Sequence, residues 1–204
     1  FQKIDETVNT AYCKKNGIPV TRRITGGGTV LHHRELTYSF SVPIRSRIVP
    51  VSVESSFKYI IKPIIDSISS YSINAEYRPV NDIIVNKKKI SGSAQIRRKG
   101  ILQQHGTIIL DMNENLLCNA LIIDIDKLKS RGFSSPMEAI TSINKEIKIK
   151  TDDELTDDIS ARIVSSFAES IGIDFILDGL TETENAVMES YIEKFNSEEW
   201  NYLR

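Results

Sequence analysis

The densest periodic signal in the 204-residue chain lies between residues 53 and 70. Phe57, Ile60, Ile61, Ile64, Ile65 and Ile68 recur at the three-to-four spacing that lines one face of a helix. Pro63 interrupts the run and predicts a kink or a late start, because proline lacks an N–H and crowds the preceding turn. Downstream the period falls to two. "INAEYRPV", "NDIIVNKKKISGSAQ" and "GILQQHGTIILDM" read as strands with polar turns. Asn86-Lys87 is the expected hairpin turn, since asparagine tolerates positive φ. Upstream, residues 5–16 predict a short helix ending at Gly17. "IPVTRRIT" predicts a strand leading into Gly26-Gly27-Gly28, and "TVLHH" and "LTYSFSVPI" two strands joined at Arg34-Glu35. The surroundings of Pro43 and Pro50 read as loop.

After the strands, residues 113–122 predict a helix and "SRGFSSPMEAIT" a loop or linker. "DDELTDDISARIVSSFAESIG" predicts a capped amphipathic helix ending at Gly172, with its acidic run on a solvated face. A short strand "IDFIL", a helix opened by the capping box "TETE" at Thr181, and a capped turn "SEEW" after Ser197 complete the chain. No repeat or low-complexity segment interrupts it. Strands in runs followed by helices predict an α+β fold, mostly antiparallel, with helices on one side. The length predicts a single domain over 1–204, with about 150–204 as its helical C-terminal part.

Composition narrows the function classes. The net charge of −1 sets up no field toward nucleic acid or an anionic membrane. No apolar run approaches the roughly 20 residues of a membrane span, and no signal peptide is visible. Two cysteines, Cys13 and Cys118, make no disulfide framework, so a cytoplasmic protein is expected. Cys118 is expected on the buried face of its helix and Cys13 on a surface helix, both inert. The chain begins with Phe1 rather than Met, so a start further upstream is expected.

Polar chemistry gathers in two places. All three histidines and six of the ten glycines fall in or near Gly-rich loops. Seven basic residues lie between Arg78 and Lys99, with Asp82 the sole acid among them. Glycine lets backbone press against a ligand, and successive N–H groups can cradle an anion. An ordinary turn between strands is the readier explanation of "GGG" taken alone, and a solvated lysine run explains Lys87 to Lys89 equally well. No third ligand stands at zinc spacing, and no serine sits in a nucleophile elbow. Asn81 and Asp82 could hold a phosphate or a hydrated Mg²⁺. A nearby lysine could neutralise charge developing on a phosphoryl oxygen.

"RRITGGGTVLHHRELTYSF" resembles the arginine-arginine-x-(Ser/Thr)-Gly-Gly-Gly segment of the lipoate–protein ligase family. "NDIIVNKKKISGSAQ" and "HGTIILD" resemble its second and third signatures, and "SEEWNYLR" its Glu-Trp-Asn close. The family includes biotin ligases and octanoyltransferases, on a fold similar to class II aminoacyl-tRNA synthetases: a mixed, largely antiparallel sheet flanked by helices. The resemblance implies a ligase that activates lipoate or octanoate with ATP and Mg²⁺ to an acyl-adenylate, then transfers the acyl group to a lysine. The acceptor would be a lipoyl carrier domain, of a 2-oxoacid dehydrogenase E2 or a glycine cleavage H protein. It implies Lys89 as the catalytic residue beside the carbonyl and phosphate. It places Asn81 and Asp82 on phosphate or Mg²⁺, and Arg23, Gly26, Gly27, Gly28 and His32 at the acyl end. Ser91, Gly92 and Ala94 would form the pocket wall, and His105, Gly106 and Thr107 the strand beside the adenylate.

The chain departs from the family at three points. His32-His33 stands where the family has His-Asp, with a short loop after it. Lys87 stands where glycine is common. The chain is expected to begin inside the catalytic domain and to lack the smaller C-terminal domain, so a separate accessory subunit is an option. Two rivals stay open. One is an octanoyltransferase that draws on acyl carrier protein through a cysteine thioester, though "SINAEYRPV" offers no cysteine where that branch has one. The other is a non-catalytic acyl- or carrier-binding paralogue. A biotin ligase lacks support, since its glycine-arginine-glycine loop is missing.

Overall fold

The computed structural model describes residues 2–149 and 153–202. They fall into two compact units, one of residues 32–114, 124–149 and 153–174, the other of residues 2–31, 115–123 and 175–202.

The first unit is built on a five-stranded antiparallel sheet. After helix α1 (Thr10–Lys15) the chain enters β1 (Glu35–Pro43), helix α2 (Val53–Ser69), then β2 (Ala75–Arg78), β3 (Asp82–Val85), β4 (Lys88–Arg98) and β5 (Ile101–Ile109). The spatial order is β1-β5-β4-β3-β2. Short helices α3 (Glu114–Ala120), α4 (Ile125–Ser130), α5 (Pro136–Ala139) and α6 (Ile143–Ile147) lead to the long α7 (Asp153–Ile171). A parallel bridge joins Lys89 to Ile140, the one departure from antiparallel pairing among the described residues.

The isoleucine stripe does what its spacing predicts. Phe57, Ile60, Ile61, Ile64 and Ile68 of α2 are buried, and Ile60 to Ile68 at these positions are fully so. The helix runs through Pro63 as one element. Pro63 itself is buried, and Ser67 Oγ donates to its carbonyl at 2.9 Å. On α7, Ile159, Ile163 and Phe167 form the matching i, i+4 ladder. Phe167 stacks on Phe40 of β1, ring centroids 5.4 Å apart. At the far end of α2, burial and then a hydrogen bond to Asp158 push the Tyr71 hydroxyl up to about 12. Thus α2 and α7 cover one sheet face, and the other carries Arg78, Asp82, Lys89 and Gly92.

The hairpin turn is as expected: Asn86 and Lys87 both take positive φ, +49° and +67°. Three expected strands do not form. Residues 18–25 and 29–33 are irregular, and "LTYSFSVPI" alone enters the sheet, as β1. Ile173–Leu177 is irregular too, with Ile176 and Leu177 exposed to solvent. Each is a strand-like sequence with no neighbouring ladder to pair with, and β propensity without a partner is weak. "SRGFSSPMEAIT" holds the short helix α5, capped by Ser135. Asp152, which opens the expected capped helix, lies outside the described residues.

The second unit has a small core of Val8, Cys13 and Ala120, with Ile4, Tyr12, Ile18, Val20 and Leu31 packed on it. It also carries α8 (Glu182–Asn196), opened by the Thr181–Glu184 capping box, and α9 (Glu198–Asn201), capped by Ser197. The two thiols exchange their expected places: Cys13 is buried, with Sγ 3.9 Å from Ala120 O, and Cys118 is exposed. The reason is phase. Leu117 and Ala120 take the inner face of α3, which turns Cys118 outward. Burial raises the Cys13 pKa.

Replacing Ile64, at the centre of the helix-covered face, with Ala is expected to cost roughly 2–5 kcal/mol through lost burial and a residual cavity. Urea unfolding checks it: the midpoint falls with an unchanged slope.

Candidate active site

The open sheet face owes its content to one irregularity. The β3–β4 register pairs Ile83 with Ser91 but Ile84 with Lys89, so Ile90 is an extra residue, a β-bulge. Ile90 and Ser91 are consecutive, yet both are fully buried. Plain alternation would put Lys89 and Gly92, three apart, on opposite faces. The bulge puts both on the open one.

Cross-strand partners share a face, so a row forms from Arg78 through Asp82, Gly92 and Thr107 to Thr37. A second row holds Ala94, His105 and Ser39. Into the first, Lys89 Nζ reaches across to Asp82 Oδ1 at 2.7 Å, and Arg78 Nη2 reaches Asp82 Oδ2 at 2.8 Å. One carboxylate between two cations leaves a net positive charge. The Asp82 side chain is 17% exposed and that of Lys89 38%, so the charge is open to an arriving anion.

Gly92 makes this geometry possible. A Cβ there would lie 2.6 Å from Lys89 Cε and 3.4 Å from Asp82 Oδ1. Only a bare backbone lets the lysine lie across β4 to the next strand. Asn81 locks the same corner: Ser93 N–H donates to Asn81 O at 2.9 Å, and Asn81 Nδ2 donates back to Ser93 O.

Asp82, Lys89, Gly92, Ala94, His105 and Thr107 therefore come together on one face. Ser91 and Gly106 do not share it. Ser91 is fully buried on the helix-covered side, its Oγ without a hydrogen-bond partner among the described residues. Gly106 lies on that side as well, where a Cβ would meet Gly92 O and Tyr38 Cε1, both at 2.7 Å. His32 pairs through Nδ1 with Glu35, which also accepts from Thr37 Oγ1 at 2.9 Å. The site residue that the sequence reading left out is Arg78. Its signal was its position four before Asp82 across a turn, which only the strand register turns into a contact.

Asp82 is a poor metal ligand here, because both its oxygens are held by cations. Among the described residues no group of three or more His, Cys, Asp or Glu gathers to hold a metal ion.

In the other unit, Arg23 organises the glycine loop. Its Nη2 donates to Gly26 O and Gly28 O, both at 2.8 Å, and its Nε to Gly26 O at 3.3 Å. Gly27, at φ +106°, is in a region other residues avoid, and a Cβ on it would lie 2.8 Å from Arg23 Nη2. With its carbonyls turned to Arg23, the loop is exposed. Burial lowers the Arg23 pKa.

Residues 1–168 match the model of the lipoyl protein ligase A/B catalytic domain, and the chain belongs to that family. It is an enzyme family of lipoate ligases and octanoyltransferases, and the chain is similar to both kinds. It is 30% identical to the octanoyltransferase LipM of Clostridioides difficile, over 100% of this chain and 81% of that protein. A bi-partite lipoate protein ligase of Thermoplasma acidophilum, solved as part of a lipoylation system with its E2 lipoyl domain, superposes with a TM-score of 0.82 at 27% identity. That match covers 100% of this chain and 79% of that one. A lipoate-protein ligase A bound with ATP gives a TM-score of 0.80 at 26% identity, covering 99% and 79%. The fold is thus that of the lipoate and biotin ligases, akin to class II aminoacyl-tRNA synthetases.

Gly92→Ala is expected to spare the fold, since the displaced atoms are the far end of a flexible lysine, and to keep stability within about 1 kcal/mol. It should lower acyl transfer at least about tenfold by moving Lys89 off Asp82. Urea unfolding beside an acyl-transfer assay checks both halves.

Proposed function

We propose that this protein is an ATP-dependent lipoate–protein ligase. The carboxylate oxygen of lipoate or octanoate attacks the α-phosphorus of ATP, forming a mixed anhydride and expelling pyrophosphate. A lysine amine of a lipoyl carrier domain then attacks the acyl carbon. An amide forms, AMP leaves, and the amine's proton passes to solvent.

The observation that carries this reading is the Arg78–Asp82–Lys89 cluster on the open sheet face. Adenylate formation brings two anions together, and cations fixed beside them offset the repulsion in the transition state. Lys89 is the residue assigned to the reacting carbonyl and α-phosphate. Asp82 orients it, and Asn81 fixes the strands beneath. The exposed Gly26–Gly28 backbone is assigned to the acyl end, where excluding water protects a labile anhydride. The likeness to an ATP-bound ligase supports the nucleotide.

Magnesium does not fit the donors at Asp82. Mg²⁺ commonly rides on substrate phosphates with few protein ligands, and no step here is assigned to it. The acceptor is a lipoyl domain of an E2 protein or an H protein, and the bi-partite relative supports a separate accessory subunit. We read the two units as parts of one catalytic domain, working in the cytoplasm. No helix among the described residues is long and apolar enough to cross a membrane.

A second reading, an octanoyltransferase using acyl carrier protein, is favoured by the LipM relative. Against it, the segment "SINAEYRPV" just before Asn81 and Asp82 contains no cysteine where that branch would hold its thioester. Against a non-catalytic paralogue, Lys89 and Asn81 are both present, Lys89 paired with Asp82 and Asn81 bonded to Ser93.

The test is the intact mass of an apo lipoyl domain after incubation with this protein. Free lipoate or octanoate with ATP is expected to give the acyl adduct. Transfer from octanoyl carrier protein without ATP would establish the second reading. Binding without either transfer would leave the paralogue.

A further inference from the structure

Arg22 is the residue before the arginine that organises the glycine loop, and both of its backbone groups are held by side chains from the other end of the chain. Its N–H donates to Asn201 Oδ1 at 2.9 Å, and its carbonyl accepts from Trp200 Nε1 at 2.8 Å. Its guanidinium Nε adds a bond to Asn201 O at 3.3 Å. Asn201 and Trp200 thus act toward Arg22 as a strand neighbour would.

The clamp is itself built in. Asn201 is buried, and its Nδ2 donates to Phe195 O at 2.9 Å. The Trp200 ring meets Phe195 edge-on, centroids 5.4 Å apart at 88°, with Lys194 Nζ 4.4 Å from the indole centroid. Those contacts fix where the indole N–H points.

The peptide bond between Arg22 and Arg23 is planar. Holding the Arg22 carbonyl therefore sets the plane from which Arg23 Cα departs, and with it the direction of the side chain that binds Gly26 and Gly28. We infer that Trp200, with Asn201, is a positioning residue for the Gly26–Gly28 loop. Through Arg22 and Arg23 it sets the loop conformation that receives the acyl donor. The acyl-donor role rests on the function proposed above, but the coupling of Trp200 to the loop does not.

The test uses Trp200→Phe, which keeps a ring against Phe195 and removes the N–H. Without ligand, the backbone amide resonances of Gly26–Gly28 are expected to shift and their NMR order parameters to fall from about 0.85 toward about 0.6, while the five-stranded sheet is unchanged. With substrates, KM for the acyl acid should rise about tenfold while kcat stays within about threefold, the signature of a lost binding geometry rather than lost chemistry. Unchanged loop resonances and order parameters in the folded variant overturn the inference, whatever the activity. A loosened loop with no acid-dependent turnover even in the native protein upholds the coupling and removes the proposed function instead. If Trp200→Phe does not fold, Asn201→Ala replaces it, with the same expected loosening and the same overturning result.

Discussion

One extra residue in β4 decides what the open sheet face can do. The bulge at Ile90 reverses the alternation, so Ile90 and Ser91 both turn to the core and Lys89 joins Asp82 and Gly92 on the side away from α2 and α7. The Lys89–Asp82 pair on that face follows from this. Without the bulge, β3 and β4 could pair as well, yet the lysine would be aimed at the isoleucines of α2. Gly92 completes the device, because any Cβ would stand where the lysine stem must lie.

The strength of the Lys89–Asp82 pair suits a reacting group better than a structural one. Both side chains are partly exposed, and pairs in that setting contribute about 1 kcal/mol or less. An incoming phosphate or carboxylate can then draw the ammonium from Asp82 at small cost, while Arg78 keeps the carboxylate neutralised. The glycine loop follows a different logic. Arg23 ties its carbonyls together, and Trp200 and Asn201 tie the backbone before Arg23, so a segment rich in flexible residues is held by its flanks.

The sequence made the regular parts legible where local and long-range preferences agree. The isoleucine stripe of α2, the Asn86-Lys87 turn, the three strands around it and the capping box at Thr181 all form at the expected places. It misled where pairing decides. Residues 18–25, 29–33 and 173–177 have strand-like composition but no ladder to join. Cys13 and Cys118 were reversed because the helix phase in short segments depends on which face finds a neighbour. In the site, Lys89 and Asp82 were readable as chemistry. That Arg78 belongs with them and Ser91 faces the core was not, because both depend on register and on a bulge that leaves no mark in the order of residues.

The most direct measurement is the exchange of labelled pyrophosphate into ATP, with and without lipoate or octanoate, in the native protein and in Lys89→Ala. The account predicts exchange that requires the acid and falls by roughly a hundredfold or more without the lysine, the scale of losing one positioned charge at a transition state. Exchange at the native rate in Lys89→Ala, or exchange indifferent to the acid, would contradict it.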